Sequence, residues 1–347
     1  MNTKTNQHNY GIELLRIVAM LMIVAHHFSL HSGIVFEVGS INDMWMQALA
    51  LSGKTGVNIF VLITGHYASA RIRSGKVLGL IGCTSGYSLV LTAAAVLTGS
   101  VGFSMKMLLK AAVPYLFGGT YWFVTTYLEL YVLLPVLNMM MERLDSRNYR
   151  NYLILFTGLL CVLPKVVGQF IHVNDLGFNK LVWFVYLYFL GAYLKKLNIS
   201  GKTACCAAIG CVIAQITSCV MLRLGMAHGA VEKLLACMAD YSVNAVFPLL
   251  ISATMLLWFR NVNIRTGRKL LGLFGSATLG VYLFHDHIVF RGQLWSAVYR
   301  LITGIGIEFF GVNALLSVVF VFLVGSGIEI CRMTLAQKIQ NAMKERK

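Results

Sequence analysis

The first long apolar stretch of the chain, Tyr10–Ser32, constrains the fold more than any other part of the sequence. It is long and apolar enough to cross a bilayer. It nevertheless contains several ionisable residues, namely Glu13, Arg16, His26, His27 and His31. Ionisable side chains within a span are costly and usually face the interior of a helical bundle or a water-filled cavity. The stretch therefore predicts a transmembrane helix that lines a polar cavity.

The spacing within this stretch places Arg16 and His27 on one face of the helix. They are eleven residues apart, which is three turns plus roughly 20° and about 16 Å along the helix axis. Glu13 precedes Arg16 by three residues, close enough for an ion pair. His26 points some 80° away from Arg16 and need not share that cavity. The pattern predicts a cavity with a cation near one end and an imidazole near the other.

The composition places the whole chain in the membrane. Only 12% of its 347 residues are charged, against about 25% in soluble proteins, and the mean hydropathy is +0.73. The net charge of +16 fits the excess of Lys and Arg in cytoplasmic loops, so we expect no nucleic-acid partner. The eight cysteines lie in or near apolar segments without metal-ligand spacing, so we expect no metal site.

The length leaves room for about ten spans. The predicted spans cover approximately residues 10–32, 56–70, 77–97, 121–140, 151–170, 181–194, 203–224, 241–259, 270–290 and 305–330. A cytoplasmic N-terminus puts nineteen Lys and Arg residues on the cytoplasmic side and nine on the other, with Arg16 set aside. The positive-inside rule therefore predicts that both termini are cytoplasmic. We expect an all-α integral membrane protein that folds as one bundle over residues 1–347, without an additional soluble domain.

Two features of this arrangement have a structural and a functional interpretation. Arg71, Arg73 and Lys76 follow the second predicted span. Such a cluster either anchors the span at the cytoplasmic surface or grips the phosphates of a donor molecule. His27 is either a buried histidine bonded to a neighbouring helix or a general base that takes a proton from an attacking hydroxyl.

Two further clusters are candidates for binding an acceptor. Trp122 and Glu129 lie in the fourth predicted span, and His285 and Asp286 lie at the outer end of the ninth. Trp122 is also typical of an interfacial aromatic belt, whereas a carboxylate at the depth of Glu129 needs a partner. The start of an interfacial loop explains His285 and Asp286 equally well.

The motifs of the first two spans resemble those of the acyltransferase-3 family. The family's first span carries an Arg or Lys, ten intervening residues and a His, which matches Arg16 and His27. Glu13 matches the acidic residue that usually stands three positions earlier. The cation pair after the second span is matched by Arg73-x-x-Lys76, and whether Arg71 takes part stays open.

Later parts of the chain carry the resemblance further. The ending Gly65-His66-Tyr67 is similar to the end of the family's second span. Residues 121–138, 188–196 and 280–291 look like its later signatures, especially those of the polysaccharide O-acetyltransferase branch. The likeness therefore covers nearly the whole chain.

The resemblance implies a multi-pass O-acyltransferase of the inner (cytoplasmic) membrane. Its co-substrate would be acyl-CoA, commonly acetyl-CoA, and its acceptor a hydroxyl of a cell-envelope sugar or polysaccharide precursor. His27 would be the general base, and Arg16 with Glu13 would hold or orient the donor. A non-catalytic carrier of a small polar solute or sugar-lipid stays open as an alternative, as does the membrane half of a resistance racemase. The sequence does not define the oligomeric state, for which a homodimer is one candidate.

Overall fold

The computed structural model describes residues 8–68, 74–116, 121–171, 178–306 and 308–345. These residues form helices and connecting loops without β-strands. Seven of the described helices are long and apolar enough to cross a membrane, and two shorter apolar helices accompany them. The prediction of an all-helical membrane bundle is confirmed at this level. The count of ten spans and the cytoplasmic position of both termini stay predictions.

The helices follow one another along the chain with short connections. They are α1 (Tyr10–His31), α2 (Ile41–His66), α3 (Ser74–Leu97), α4 (Met105–Ala112), α5 (Trp122–Arg143), α6 (Ser146–Thr157), α7 (Gly168–Ile171), α8 (Lys180–Leu194), α9 (Gly201–Arg223), α10 (Gly229–Ala239), α11 (Val246–Phe259), α12 (Arg268–His285), α13 (Arg291–Ile305) and α14 (Phe310–Glu345). A π-helical segment, Gly158–Val167, joins α6 to α7. Each of the ten predicted spans falls mainly on helix.

The largest difference from the sequence prediction is the start of α2. The sequence predicts a second span from residue 56 with a loop over residues 33–54 before it, but the helix begins at Ile41, where the Ser40 hydroxyl caps it by accepting from the amide of Asp43 (3.2 Å). The Ser-Gly-Lys-Thr-Gly segment, residues 52–56, lies within the helix. Its two glycines are packing positions, because a Cβ at Gly53 would overlap the His26 ring and one at Gly56 would overlap the α1 backbone.

Helix α1 lies inside the bundle. It packs against α2, α11, α12 and α14. Of the 18 consecutive residues that form its most apolar stretch, 61% are buried. The corresponding share is 11% for the segment Ser146–Ile171, whose apolar side chains point outwards. Glu13, His26 and His27 of α1 are therefore buried in the interior, whereas the outer helices present the apolar surface that a bilayer requires.

An ion pair within α14, between the exposed Arg332 and the buried Glu329, lies against α3 and α12. Arg332 donates from Nε and Nη2 to the two carboxylate oxygens of Glu329 (2.7 Å each). The Tyr87 hydroxyl of α3 donates to the same carboxylate (2.9 Å). A Cβ at Gly280 of α12 would overlap the Glu329 side chain, so this glycine allows the close approach. The network ties α14 to α3 and packs against α12, the helix that carries His285.

Candidate active site

A cavity of about 290 Å³ lies between α1, α2, α5 and α12, with one residue of α3 in its wall. Arg16 and His27 both line it, in the positions that their helical spacing predicts. Apolar and aromatic residues form much of the rest of the wall, including Met20, Val57, Phe60, Phe123 and Tyr127. The cavity therefore joins a cationic end to an imidazole end through a mainly apolar middle.

The cationic end is organised by Glu13. The Arg16 Nη1 donates to Glu13 Oε1 (2.9 Å), and the Nε2 of His8 lies 3.1 Å from the same oxygen. Glu13 is only 4% exposed, whereas the Arg16 side chain is 34% exposed. A Cβ at Gly275 of α12 would overlap the other carboxylate oxygen. Glu13 is therefore a buried support that orients a partly accessible guanidinium.

The imidazole end is built from two helices. The Nδ1 of His27 lies 2.9 Å from Nε2 of His285, and Nδ1 of His285 lies 2.6 Å from the backbone oxygen of Val281. Both rings are buried, and that of His285 is fully so. The Oδ1 of Asp286 lies 3.8 Å from Nδ1 of His27. His27 is thus held from behind by the end of α12.

These contacts determine the tautomers of both neutral rings. A carbonyl oxygen only accepts, so His285 must carry its proton on Nδ1 and offer a lone pair at Nε2. His27 must then donate from Nδ1 to that lone pair, which leaves its own Nε2 unprotonated. The described residues provide no hydrogen-bond partner for this Nε2. The arrangement therefore leaves a free imidazole lone pair on a ring that lines the cavity.

Asp286 adds a negative charge beside this pair. Its Oδ1 accepts from Arg291 Nη1 (3.4 Å), and its carboxylate is buried. A carboxylate at this position stabilises the imidazolium that forms when His27 takes up a proton. Neither His285 nor Asp286 lines the cavity. The sequence suggested acceptor contacts for these two residues, and the structure places them behind His27 instead.

The two acceptor candidates of α5 separate in the structure. Trp122 lines the cavity, whereas Glu129 is exposed on another side of the helix. Glu129 follows Tyr127 by two residues, and a step of two residues turns a helix by about 200°, so it points away from the cavity wall that Tyr127 forms. The structure therefore does not bring Glu129 to the site.

His26 lies closer to the site than its angle on α1 suggested. Its ring also lines the cavity, because the wall spans a wider arc of α1 than the row from Arg16 to His27. Its Nδ1 lies 2.6 Å from the Ala50 backbone oxygen, so this nitrogen donates to α2. His26 therefore does share the cavity, which its angle on α1 did not require, and its proton-bearing nitrogen ties two helices together.

The proposed donor cluster is only partly described. Arg71 and Arg73 lie outside the described residues. Lys76 is exposed near the start of α3, one turn before Leu80, which contributes to the cavity wall. An exposed cation therefore stands one turn from the wall of the cavity.

Lys54 is a site residue that the sequence interpretation missed. It lines the cavity, is half-buried, and holds its Nζ 5.2 Å from the ring centroid of Trp122. The predicted second span begins at residue 56, two residues after Lys54. Extension of the predicted second span by one turn towards its N-terminus would have placed Lys54 beside Val57 on the same wall.

Comparison with known proteins gives one result. No curated protein and no solved structure matches the chain. The model of the acyltransferase-3 family, described as an acyltransferase domain, matches residues 9–329. This range includes α1, the cavity and the pair of histidines, and it covers most of the sequence. The chain therefore belongs to the acyltransferase-3 family and is a multi-pass membrane protein with an acyltransferase domain.

Proposed function

We propose that this membrane acyltransferase moves an acetyl group from acetyl-CoA to a hydroxyl of a cell-envelope sugar or polysaccharide precursor, in the cytoplasmic membrane. The hydrogen-bond chain from Val281 through His285 to His27 carries the proposal. It supplies an unprotonated Nε2 on a residue of the cavity wall. Family membership supports the acyl transfer, and the proposal adds the donor, the acceptor class and the base.

The reaction needs one proton acceptor and one leaving group. The acceptor hydroxyl oxygen attacks the thioester carbonyl carbon while Nε2 of His27 takes the hydroxyl proton. The carbon–sulfur bond then breaks, and the CoA sulfur leaves and receives that proton from the imidazolium. The Asp286 carboxylate near Nδ1 (3.8 Å) stabilises the charged ring between the two steps.

The donor enters from the Arg16 end in this proposal. Arg16 is held by Glu13 with part of its side chain accessible, and the exposed Lys76 lies one turn before Leu80, a residue of the cavity wall. Arg and Lys are suited to phosphate groups, so these cations would hold the CoA moiety. The acyl group would then extend through the apolar middle of the cavity towards His27.

An assay with labelled acetyl-CoA tests this function against a carrier without chemistry. The full-length protein in proteoliposomes is given donor labelled in the acetyl group, with and without sugar acceptors. Release of free CoA together with label in the acceptor, or in acetate when no acceptor is added, supports an acyltransferase. Binding or movement of sugar with intact acetyl-CoA at all acceptor concentrations contradicts the proposal and favours the carrier.

A further inference from the structure

Two lysine side chains converge on one aromatic ring at the imidazole end of the cavity. The Nζ of Lys54, from α2, lies 5.2 Å from the ring centroid of Trp122, and the Nζ of Lys180, at the start of α8, lies 4.9 Å from it. Gly53 packs directly against the His26 ring, so Lys54 stands at the level of His26 and His27. The indole and Lys54 therefore line the cavity near the base, and the exposed Lys180 reaches the same indole ring without lining the cavity.

Neither lysine is in ion-pair contact with a carboxylate of the described residues, although Asp286 attracts Lys54 from a longer distance. Within the described part of the chain, neither Lys54 nor Lys180 has a carboxylate oxygen within 4.0 Å. The carboxylate of Asp286 is already engaged by Arg291 (3.4 Å) and lies 3.8 Å from His27. The imidazole end thus presents two cations over an aromatic face.

We propose that the acceptor carries an anionic group, a carboxylate or a phosphate, which Lys54 and Lys180 bind while the sugar ring packs on Trp122. The inference rests on the proposed function and deepens it by naming the acceptor's charge. Lysine is a compact point charge that forms charge-assisted hydrogen bonds with either anion. The indole offers a large apolar face for the ring. A neutral acceptor would leave the half-buried Lys54 and the exposed Lys180 without an ion-pair partner among the described residues.

Three acceptors built on one sugar test this preference. Methyl glucoside is neutral, methyl glucuronide carries a carboxylate and glucosyl phosphate carries a phosphate. We expect kcat/KM for at least one charged acceptor to exceed that for methyl glucoside by tenfold or more, and the two charged arms distinguish the source of the anion. Lys54→Met should lower this ratio by about tenfold, since a hydrogen bond to a charged group is lost. Lys180→Met should lower it less, because Lys180 is exposed.

Lys233→Met is the matched control. Its Nζ lies over the ring of Phe170 at 5.6 Å, a similar pair that does not line the cavity, so the ratio should keep its wild-type value. Binding of each sugar is also measured by tryptophan fluorescence, with Trp122→Phe to identify the responding residue. This second measurement decides the preference even if none of the three sugars accepts acetyl.

Three outcomes would overturn the inference. Equal binding or equal kcat/KM for charged and neutral sugars removes the preference. A Lys54→Met variant that loses rate equally for all three acceptors would make Lys54 a stabiliser of the reacting oxygen instead. Both results leave the proposed function intact as long as acetyl-CoA is still cleaved. A protein that neither cleaves acetyl-CoA nor transfers acetyl fails the proposed function itself, and the inference falls with it.

Discussion

The two ends of the cavity are built in different ways. At one end Arg16 is held by Glu13, a residue of the same helix one turn away (2.9 Å). At the other end His27 is held by His285, a residue 258 positions later in the chain (2.9 Å). The guanidinium is partly accessible, whereas the imidazole pair is buried. The first end suits the binding of a charged molecule, and the second suits the control of a proton.

One end therefore depends on a local contact within α1, and the other on a long-range contact between α1 and α12. An ion pair between residues one turn apart can form within a single helix, and α12 contributes the close approach of Gly275 to Glu13. The orientation of His27 depends on α12 lying correctly against α1. We therefore expect substitutions at the imidazole end to change the rate of transfer, and substitutions at the Arg16 end to change the binding of the donor.

The largest effect should come from His27. In His27→Ala we expect acetyl transfer to fall by a factor of about 10²–10⁴, the usual contribution of a general base. Binding of acetyl-CoA should survive, because the cations at the other end remain. Transfer is measured with purified protein at matched amounts in proteoliposomes, and donor binding is measured on the same samples.

His26→Ala is the matched comparison, since the two histidines are adjacent and both line the cavity. The Nδ1 of His26 donates to the Ala50 oxygen (2.6 Å), so its loss should lower thermal stability and reduce the rate only modestly. If His26→Ala is inactive and His27→Ala is active, the base is His26 and not His27. Full activity in both variants would mean that neither of these two histidines of α1 is the base.

The sequence predicts the contacts within one helix of the site but not the contacts between distant helices. The placement of Arg16 and His27 on one wall, and the pairing of Arg16 with Glu13, follow from helical spacing alone. The contact between His27 and His285 does not, because no local rule states which of two distant spans will pack together. The family resemblance was equally visible in the sequence, since its motifs lie mainly within single spans, and the match over residues 9–329 confirms the family.

The differences between the sequence prediction and the structure arise from packing between helices. The sequence predicts the second span only from residue 56, whereas α2 begins at Ile41 and packs closely against α1 at Gly53 and Gly56. Lys54 lies before residue 56, so the sequence does not predict it as a site residue. The carboxylate of Glu129 was expected to find a partner inside the membrane, but the side chain is exposed on α5. Each case depends on packing between helices, which the sequence of one helix does not encode.

A smaller effect than that of His27 should come from its partner on α12. His285→Phe removes the acceptor of the His27 Nδ1 proton, so the ring is no longer fixed with its lone pair at Nε2. We expect kcat to fall by about 10–100-fold, as for other residues that orient a functional histidine, with KM for acetyl-CoA unchanged. Steady-state kinetics per folded molecule measures both values.

His287→Phe provides the control for this substitution. His287 is also buried, but its Nε2 lies near the hydroxyl of Thr92 (3.4 Å) and not near His27. Both substitutions should cost similar stability, and only His285→Phe should lower kcat. His285→Gln offers an amide oxygen in place of the ring nitrogen and should restore part of the rate. Equal losses in the two Phe variants would make His285 a packing residue only.

The donor end should respond through KM. Neutralisation of Arg73 and Lys76 together should raise KM for acetyl-CoA about tenfold or more, because charge-assisted phosphate contacts are lost, with little change in kcat. Lys338→Gln with Lys344→Gln is the control, since both residues are exposed near the end of α14. If both double variants leave KM unchanged, the cluster after α2 is a membrane anchor and the donor is held elsewhere.

The smallest effect should come from one methyl group behind Arg16. A Cβ at Gly275 would overlap Glu13 Oε2, so Gly275→Ala should push the carboxylate and displace the Arg16 that it holds. We expect KM for acetyl-CoA to rise about fivefold, equal to ~1 kcal/mol, the lower end of the usual cost of overpacking.

Gly272→Ala, one turn earlier on α12, adds the same methyl where the nearest atom is a Tyr10 ring carbon at 3.9 Å, an ordinary contact. Both substitutions favour the helix to the same degree, so the difference between them isolates the contact with Glu13. An equal KM in the two variants would mean that the donor does not sense the position of Arg16, and the functional difference between the two ends of the cavity would be lost.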